Sequence, residues 1–396
     1  PYVPPHPWSI DFPHLMLRGK VIAHETKKKN ILKRLRDRIL TSTDALGKIV
    51  KLPLVDITYK KFSNNIFLRK ATAKLTGLHP EANLPKYENK VLKYTPSQPH
   101  EVKEAGKTTG KVAVFVGCYC RNNKPNIAED LLMVLEHNHI QVKLMTNERC
   151  CGMPKLDLGD MKSVESLMEH NLPLLHDQIQ NGFDIISLVP SCVLMFKQEL
   201  PLLFSENEAL KEIKNRIYDP FEYLVMREKG DLLKKDFQKS LGKIAYQISC
   251  HQRVQNIGPV TKNILEMIRD TEVETIERCS GHDGTYALKK ETYNNSKKIV
   301  NRVVKKVDST NTIEVKNLSN LIEQSKSSDV KNYLYKHIQK CSDLEKEEKP
   351  ACMVRKGGAG ADARIGSGVA LSVRILCVSS SRPGNTSRRE PAVSVR

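Results

Sequence analysis

Short apolar runs that stop at cysteines organise the middle of the chain. Val112-Ala113-Val114-Phe115-Val116 is a buried-strand run ending at Gly117-Cys118. Ile127, Leu131, Leu132 and Leu135 then recur at helical spacing over 126–138. Ile140 to Met145 read as a second strand, ending before Asn147-Glu148-Arg149-Cys150-Cys151-Gly152. Strand, helix and strand in this order predict a βαβ unit and a parallel sheet. Helices follow at about 160–180, and a third strand, Asp184 to Val189, ends in Pro190-Ser191-Cys192.

The pattern recurs further on. Lys243 to Ser249 read as a strand ending at Cys250-His251, a helix is expected at about 259–269, and Glu272 to Ile276 form a weak strand ending at Glu277-Arg278-Cys279-Ser280-Gly281. Val116-Gly117-Cys118 with Arg149-Cys150-Cys151-Gly152 superposes on Ile248-Ser249-Cys250 with Arg278-Cys279-Ser280-Gly281. That is an internal repeat of one strand–helix–strand unit.

Ahead of the repeats, Pro1-Tyr2-Val3-Pro4-Pro5-His6-Pro7-Trp8 is too rich in proline for regular helix or central strand. Thr26 to Leu40 reads as a basic amphipathic helix. Ile31, Leu32, Leu35, Ile39 and Leu40 share a face, and Lys27–Lys29, Lys33, Arg34, Arg36 and Arg38 cover the rest. The apolar stripe is expected to pack on a neighbouring element, with contact to a membrane surface or nucleic acid as the other readings. Residues 80–110, rich in Pro, Lys and Thr, read as a linker. The expected organisation is a basic helical region and linker over 1–107, a first repeat over 108–235, a second over 236–344, and a tail over 345–396. The tail is Arg-, Gly- and Ser-rich without apolar period, so disorder and a frameshift or read-through origin are expected for it.

Composition sharpens this picture. The formal charge of +19 over 396 residues raises nucleic acid or an anionic surface as a partner. It is terminal, however: +12 lies in residues 1–100 and +6 in 351–396, while the body between carries only +1. Without aromatic interleaving or a recognised motif, nucleic-acid binding is disfavoured. No run of about 18 uncharged apolar residues marks a membrane span. Glu101 stands where a phosphate loop ending at Gly106-Lys107-Thr108 would need glycine. His137 and His139, at a helix–strand junction, read as structural or solvent-facing. No catalytic residue is identified.

The chemistry therefore rests on the ten cysteines. In a chain of this length, for which no secretory leader is expected, seven of them between 118 and 279 favour metal binding over a disulfide framework. Loops after the carboxyl ends of parallel strands converge on one crevice, which delivers Cys118, Cys150, Cys151 and Cys192 to one place. Thiolates are soft ligands suited to iron–sulfur clusters and zinc. Adjacent cysteines serve two irons of a cluster more readily than one ion, and Gly152 removes a side chain where backbone must pass close. Buried, inert thiols are the bland alternative. Cys120 is either a spare ligand or a plain loop thiol, and Cys341, Cys352 and Cys377 fall outside the pattern.

A cysteine, then some thirty residues to Cys-Cys-Gly, then Pro-Ser-Cys, resembles the cysteine-rich CCG domain. That domain occurs in iron–sulfur subunits of heterodisulfide reductase, anaerobic glycerol-3-phosphate dehydrogenase and glycolate oxidase. The resemblance covers about 111–340 and includes the duplication. It implies an α/β fold of two cysteine-rich repeats and an iron–sulfur oxidoreductase subunit. Such a subunit passes electrons between a flavin-bearing dehydrogenase, or another redox partner, and a quinone or disulfide. It also implies Cys118, Cys150, Cys151 and Cys192 as ligands of a [4Fe–4S] cluster, with the non-cubane type as an option. A cytoplasmic location is expected, with membrane association through a partner or the basic helix. The opening segment resembles the stretch directly after the family's ferredoxin-type motif, so the chain is expected to be N-terminally truncated.

Departures weaken the second repeat. The closing C-x-x-C of repeat one is Cys192-Val193-Leu194-Met195, repeat two has Cys279-Ser280, and Val330 stands where the family's Ser-Asp-Cys has its thiol. Cys250, His251, Cys279 and His282 form a candidate Cys2His2 zinc site, with Asp283 as an orienting partner. An unmetallated vestige and a degenerate cluster are the alternatives there. For the whole chain, the rival reading is a zinc-binding structural or assembly module without redox turnover.

Overall fold

A computed structural model describes residues 11–26, 31–95, 101–282 and 284–307. The segments 1–10, 27–30 and 96–100, residue 283 and everything from 308 onward lie outside the described residues. With them go the Pro-rich opening, Asp283, Val330, the last three cysteines and the tail.

The first repeat is a four-stranded, all-parallel sheet in the order β2-β1-β3-β4. Its strands are β1 (Lys111–Phe115), β2 (Gln141–Leu144), β3 (Asp184–Ser187) and β4 (Ile217–Tyr218). Residues Val112 to Phe115 are all fully buried, as expected of a central parallel strand covered on both faces. The helix Pro125–His137 starts on a proline, whose missing N–H costs nothing at a first helical position. It buries Ile127, Leu131, Leu132 and Leu135 on one sheet face. The helix Met161–Gln180, capped by Asp160, covers the other face with the helical residues 190–216. The two-residue strand β4 is not legible in the sequence because Ile217-Tyr218 is too short to show a period.

Among the described residues of the second repeat, β5 (Gly242–Gln247) and β6 (Thr271–Ile276) pair in parallel around the helix Val260–Glu266. Its Ile244, Tyr246, Ile264, Leu265 and Val273 join one apolar cluster with Val114, Ile186 and Phe221 of the first repeat. Asp219 forms a capping box with Glu222 on the helix Pro220–Lys229 and accepts from Gln252 Nε2 at 3.2 Å, adding a polar tie between the repeats.

The N-terminal region forms five helices, Phe12–Thr26, Ile31–Thr41, Thr43–Val50, Pro53–Asn64 and Ile66–Thr76. Here the expected packing is reversed. Ile31 is 78% exposed and Leu35 53%, while Arg36 and Asp37, on the opposite face, are buried. The physical cause is an ion network across the fold. Arg36 Nη2 pairs with Asp37 at 2.9 Å and Glu291 at 2.8 Å, Arg36 Nη1 donates to the Gly77 carbonyl at 3.2 Å, and Lys289 Nζ approaches Asp37 at 3.3 Å. Matched charges make the polar face the buried one. The segment 80–95 is likewise more than a linker, since Ala82 is fully buried against Leu288 and Tyr293, and Leu92 and Tyr94 pack on the main core. No described helix is long and apolar enough to cross a membrane.

Candidate metal centre

Three strand ends deliver the four thiols of repeat one. Cys118 follows β1 in the short helix Gly117–Asn122, Cys150 and Cys151 lie in the loop after β2, and Cys192 sits in the helix Pro190–Leu194 after β3. Cys150, Cys151 and Cys192 are buried, and Cys118 keeps partial access to solvent. Cys118 Sγ lies 3.7 Å from Cys150 Sγ. Cys151 interacts with both Cys150 and Cys192, so the thiols form a continuous chain.

Two glycines make the approach possible. Gly117 has φ +72° and a Cβ there would lie 3.5 Å from Cys192 Sγ. Gly152 has φ +98°, the left-handed backbone that Cys-Cys-Gly needs to turn into the helix Met153–Leu156. Met195, standing where the family pattern has its closing cysteine, is fully buried, its methyl carbon 3.4 Å from the place a Gly152 Cβ would take. It begins a five-residue π-helical segment, Met195–Glu199, a distortion often found at functional sites.

The electrostatics single out one thiol. Hydrogen bonds from Cys118 and then Cys151 hold Cys150 well below the ordinary thiol value. Cys118 is pushed up by its bond to Cys150 and by burial, and Cys151 by its bonds to Cys150 and Cys192. Cys150 is thus the first to ionise, with its neighbours donating to it.

Residues that the sequence does not mark out complete the surroundings. The helix Thr43–Val50 brings Asp44, whose Oδ2 accepts from the Cys150 backbone N–H at 2.6 Å. Burial pushes the Asp44 carboxyl up, opposed by that N–H. The Thr43 hydroxyl is buried, favours the anionic forms of Cys118 and Cys150, and has no hydrogen-bond partner of good geometry. Asn171, fully buried on the helix Met161–Gln180, clamps the cysteine loop. Its Oδ1 accepts from Arg149 N–H at 2.9 Å, and its Nδ2 donates to the Arg149 and Cys150 carbonyls at 3.3 and 3.1 Å. A lone Asn among the apolar positions of a helix is the one sequence signal for it. Cys120 is not a loop thiol: it lies in the helix Gly117–Asn122, buried in the apolar core.

Repeat two is assembled differently. Cys250 and Cys279 are in contact, each partly exposed. His251 turns toward repeat one, its Nδ1 2.6 Å from Ser191 Oγ, and His282 is exposed. Among the described residues no three His, Cys, Asp or Glu side chains gather as a single ion would require. Of the Cys2His2 set, Cys250 and Cys279 meet, while His251 engages Ser191 across the repeat boundary. The same absence in repeat one is what touching thiols give: they do not surround one ion. Four soft donors, three of them buried, with glycine-lined backbone and an unsatisfied hydroxyl at their side, fit a group with several metal atoms and acceptor sulfides.

The profile of the cysteine-rich domain, CCG, matches residues 112–197 and 244–317, the two repeats seen in the fold. The C subunit of anaerobic glycerol-3-phosphate dehydrogenase of Escherichia coli is 25% identical over 278 residues, 67% of this chain and 66% of that protein, just under two thirds of its length. Lactate utilization protein A 1 of Bacillus mycoides is 26% identical over 189 residues, 45% of this chain and 74% of that one. The B subunit of the fumarate reductase (CoM/CoB) of Methanothermobacter marburgensis is 26% identical over 189 residues, 46% of this chain and 35% of that one. With strands, cysteines and a duplication in the matched positions, two stretches of the chain match the cysteine-rich CCG domain.

Proposed function

We propose that the chain is an iron–sulfur electron-transfer subunit of an oxidoreductase, with Cys118, Cys150, Cys151 and Cys192 holding a [4Fe–4S] cluster of cubane or non-cubane type. The observation that carries this reading is the convergence of four thiols from three parallel-strand ends into one continuous chain, three of them buried. Relatives named as subunits of a dehydrogenase and a reductase support a role beside partner subunits. The partner is a flavin-bearing dehydrogenase or another redox subunit, and the final acceptor a quinone or a disulfide. The protein acts in the cytoplasm or at a membrane surface through its partner.

When bound, the cluster supplies one-electron uptake and release at a potential set by burial and by hydrogen bonds to sulfur. The chain's own residues do the rest. Cys150, already biased toward the thiolate, supplies the first anionic ligand. Thr43 offers a hydroxyl donor, Asp44 and Asn171 fix the Cys150 backbone, and the buried Met195 packs beside the Cys-Cys-Gly turn. Cys118, the partly exposed member, is the side from which electrons enter or leave.

Anaerobic reconstitution with iron and acid-labile sulfide analysis tests this. About four irons with matching sulfide, and visible absorption lost in Cys151→Ser, are expected; less than about one iron per chain overturns it. Zinc without sulfide, lost when Cys250, His251, Cys279 or His282 is replaced, would instead establish the structural zinc module.

A further inference from the structure

Repeat two holds a pair of thiols that the ligation of repeat one does not use. Strands β5 and β6 pair in register with Gln247 opposite Ile276. Cys250 and Cys279 each follow three residues later, at equivalent places on adjacent strand ends. Neighbouring strands lie about 4.8 Å apart, inside the roughly 4.4–6.8 Å Cα separation that a disulfide spans. The side chains meet there, with the Cys250 thiol hydrogen-bonded to Cys279. The Gly281 backbone N–H also donates to Cys279 Sγ at 3.3 Å. Two donors thus converge on the Cys279 sulfur. Both residues are partly exposed, in contrast to the buried Cys150, Cys151 and Cys192. No third ligating side chain joins them among the described residues.

We propose that Cys250 and Cys279 form a dithiol–disulfide redox couple that reacts with small-molecule disulfides, Cys279 as the attacking thiolate and Cys250 as the resolving thiol. The Cys279 thiolate attacks one sulfur of the small disulfide, forming a mixed disulfide and expelling one thiolate, which takes the Cys250 proton. The Cys250 thiolate then attacks the Cys279 sulfur, closing the intramolecular disulfide and expelling the second thiolate. Two electrons pass from the protein to the small disulfide, which leaves as one thiol and one thiolate. The couple adjoins repeat one: His251 follows Cys250 directly and meets Ser191, the residue before Cys192, at 2.6 Å. Oxidation would tie the two strand ends at the seam where that contact is made.

The test uses the full chain in glutathione buffers from reduced to oxidised, with acid quenching, differential alkylation and peptide mapping. Mapping reads each position separately, with or without iron in repeat one, so its outcome is distinct from that of the cluster reading. Joint loss of alkylation at Cys250 and Cys279, with a cross-linked 250–279 peptide, is expected as the buffer becomes oxidising. Cys250→Ser should trap glutathione on Cys279, and Cys279→Ser should leave Cys250 free of it. The proposal is overturned if both thiols still alkylate in fully oxidised buffer. It is equally overturned if glutathione accumulates on Cys250 in Cys279→Ser, or if stoichiometric zinc shields both thiols in the wild type.

Discussion

Asp44 accepts the backbone N–H of Cys150 at 2.6 Å, joining a helix of the N-terminal region to the loop of the Cys-Cys-Gly motif 106 residues away. The basic region is therefore part of the site and not an appendage. Asp44→Ala leaves a buried N–H without an acceptor, which costs about 2 kcal/mol. Urea unfolding of the metal-free chain should show that loss, and iodoacetamide should label Cys150 faster. Asp44→Asn retains an acceptor oxygen and should lose less. An unchanged midpoint and labelling rate in Asp44→Ala would dismiss this role.

Asn171 holds the same loop from the other side with three hydrogen bonds. Asn171→Leu removes all three and leaves the Arg149 and Cys150 backbone groups unpaired, so a loss of about 3 kcal/mol is expected. Reconstituted protein should also release iron faster to a chelator. Loss of stability with unchanged release kinetics would make Asn171 a purely structural residue.

The Arg36 network fixes the basic helix against the segment after β6. Arg36→Ala removes the guanidinium partner of Asp37 and Glu291 and should cost about 3 kcal/mol. Arg36→Lys keeps the charge but cannot reach Asp37, Glu291 and the Gly77 carbonyl together, and should recover only part of it. Thermal denaturation of the three proteins side by side supplies the comparison.

Asp219 gives a pH dependence. Burial pushes its carboxyl from 3.8 to about 6. Below pH 4 the folded and unfolded chains both hold the proton; between about 4 and 6 the unfolded chain releases it while the folded chain keeps it. Stability from this group is therefore lost as pH rises through that window, by about 3 kcal/mol in all. Asp219→Asn cannot ionise, so its stability minus that of the wild type should climb from pH 4 to 6 and then level off. A difference that is flat across the window would refute the assignment.

Where local signals are strong, the sequence is legible. Four or more consecutive apolar residues before Gly117-Cys118, and the helical recurrence from Ile127 to Leu135, need no partner to be read. Strands β1, β2, β3, β5 and β6 and the helices Pro125–His137, Met161–Gln180 and Val260–Glu266 lie where they are expected, while β4 and the helices between Pro190 and Lys229 are not among the elements it predicts. The four cysteines of repeat one are legible for the same reason, since strand ends in a parallel sheet have a common destination. Asp44, Thr43 and Asn171 are not, because little in their neighbourhoods along the chain distinguishes them from other polar helix residues.

By itself, the sequence determined the periodicity, the duplication and the clustering of thiols at one edge, because these depend on spacing along one chain. Tertiary structure decided the rest. It turned the basic helix over, since Arg36 finds Glu291 and Gly77 only once distant segments meet. It also drew His251 away from Cys250 and Cys279, by offering the imidazole Ser191 across the repeat boundary. A polar group's buried partner is chosen by free energy across the whole fold, and no local pattern encodes that choice.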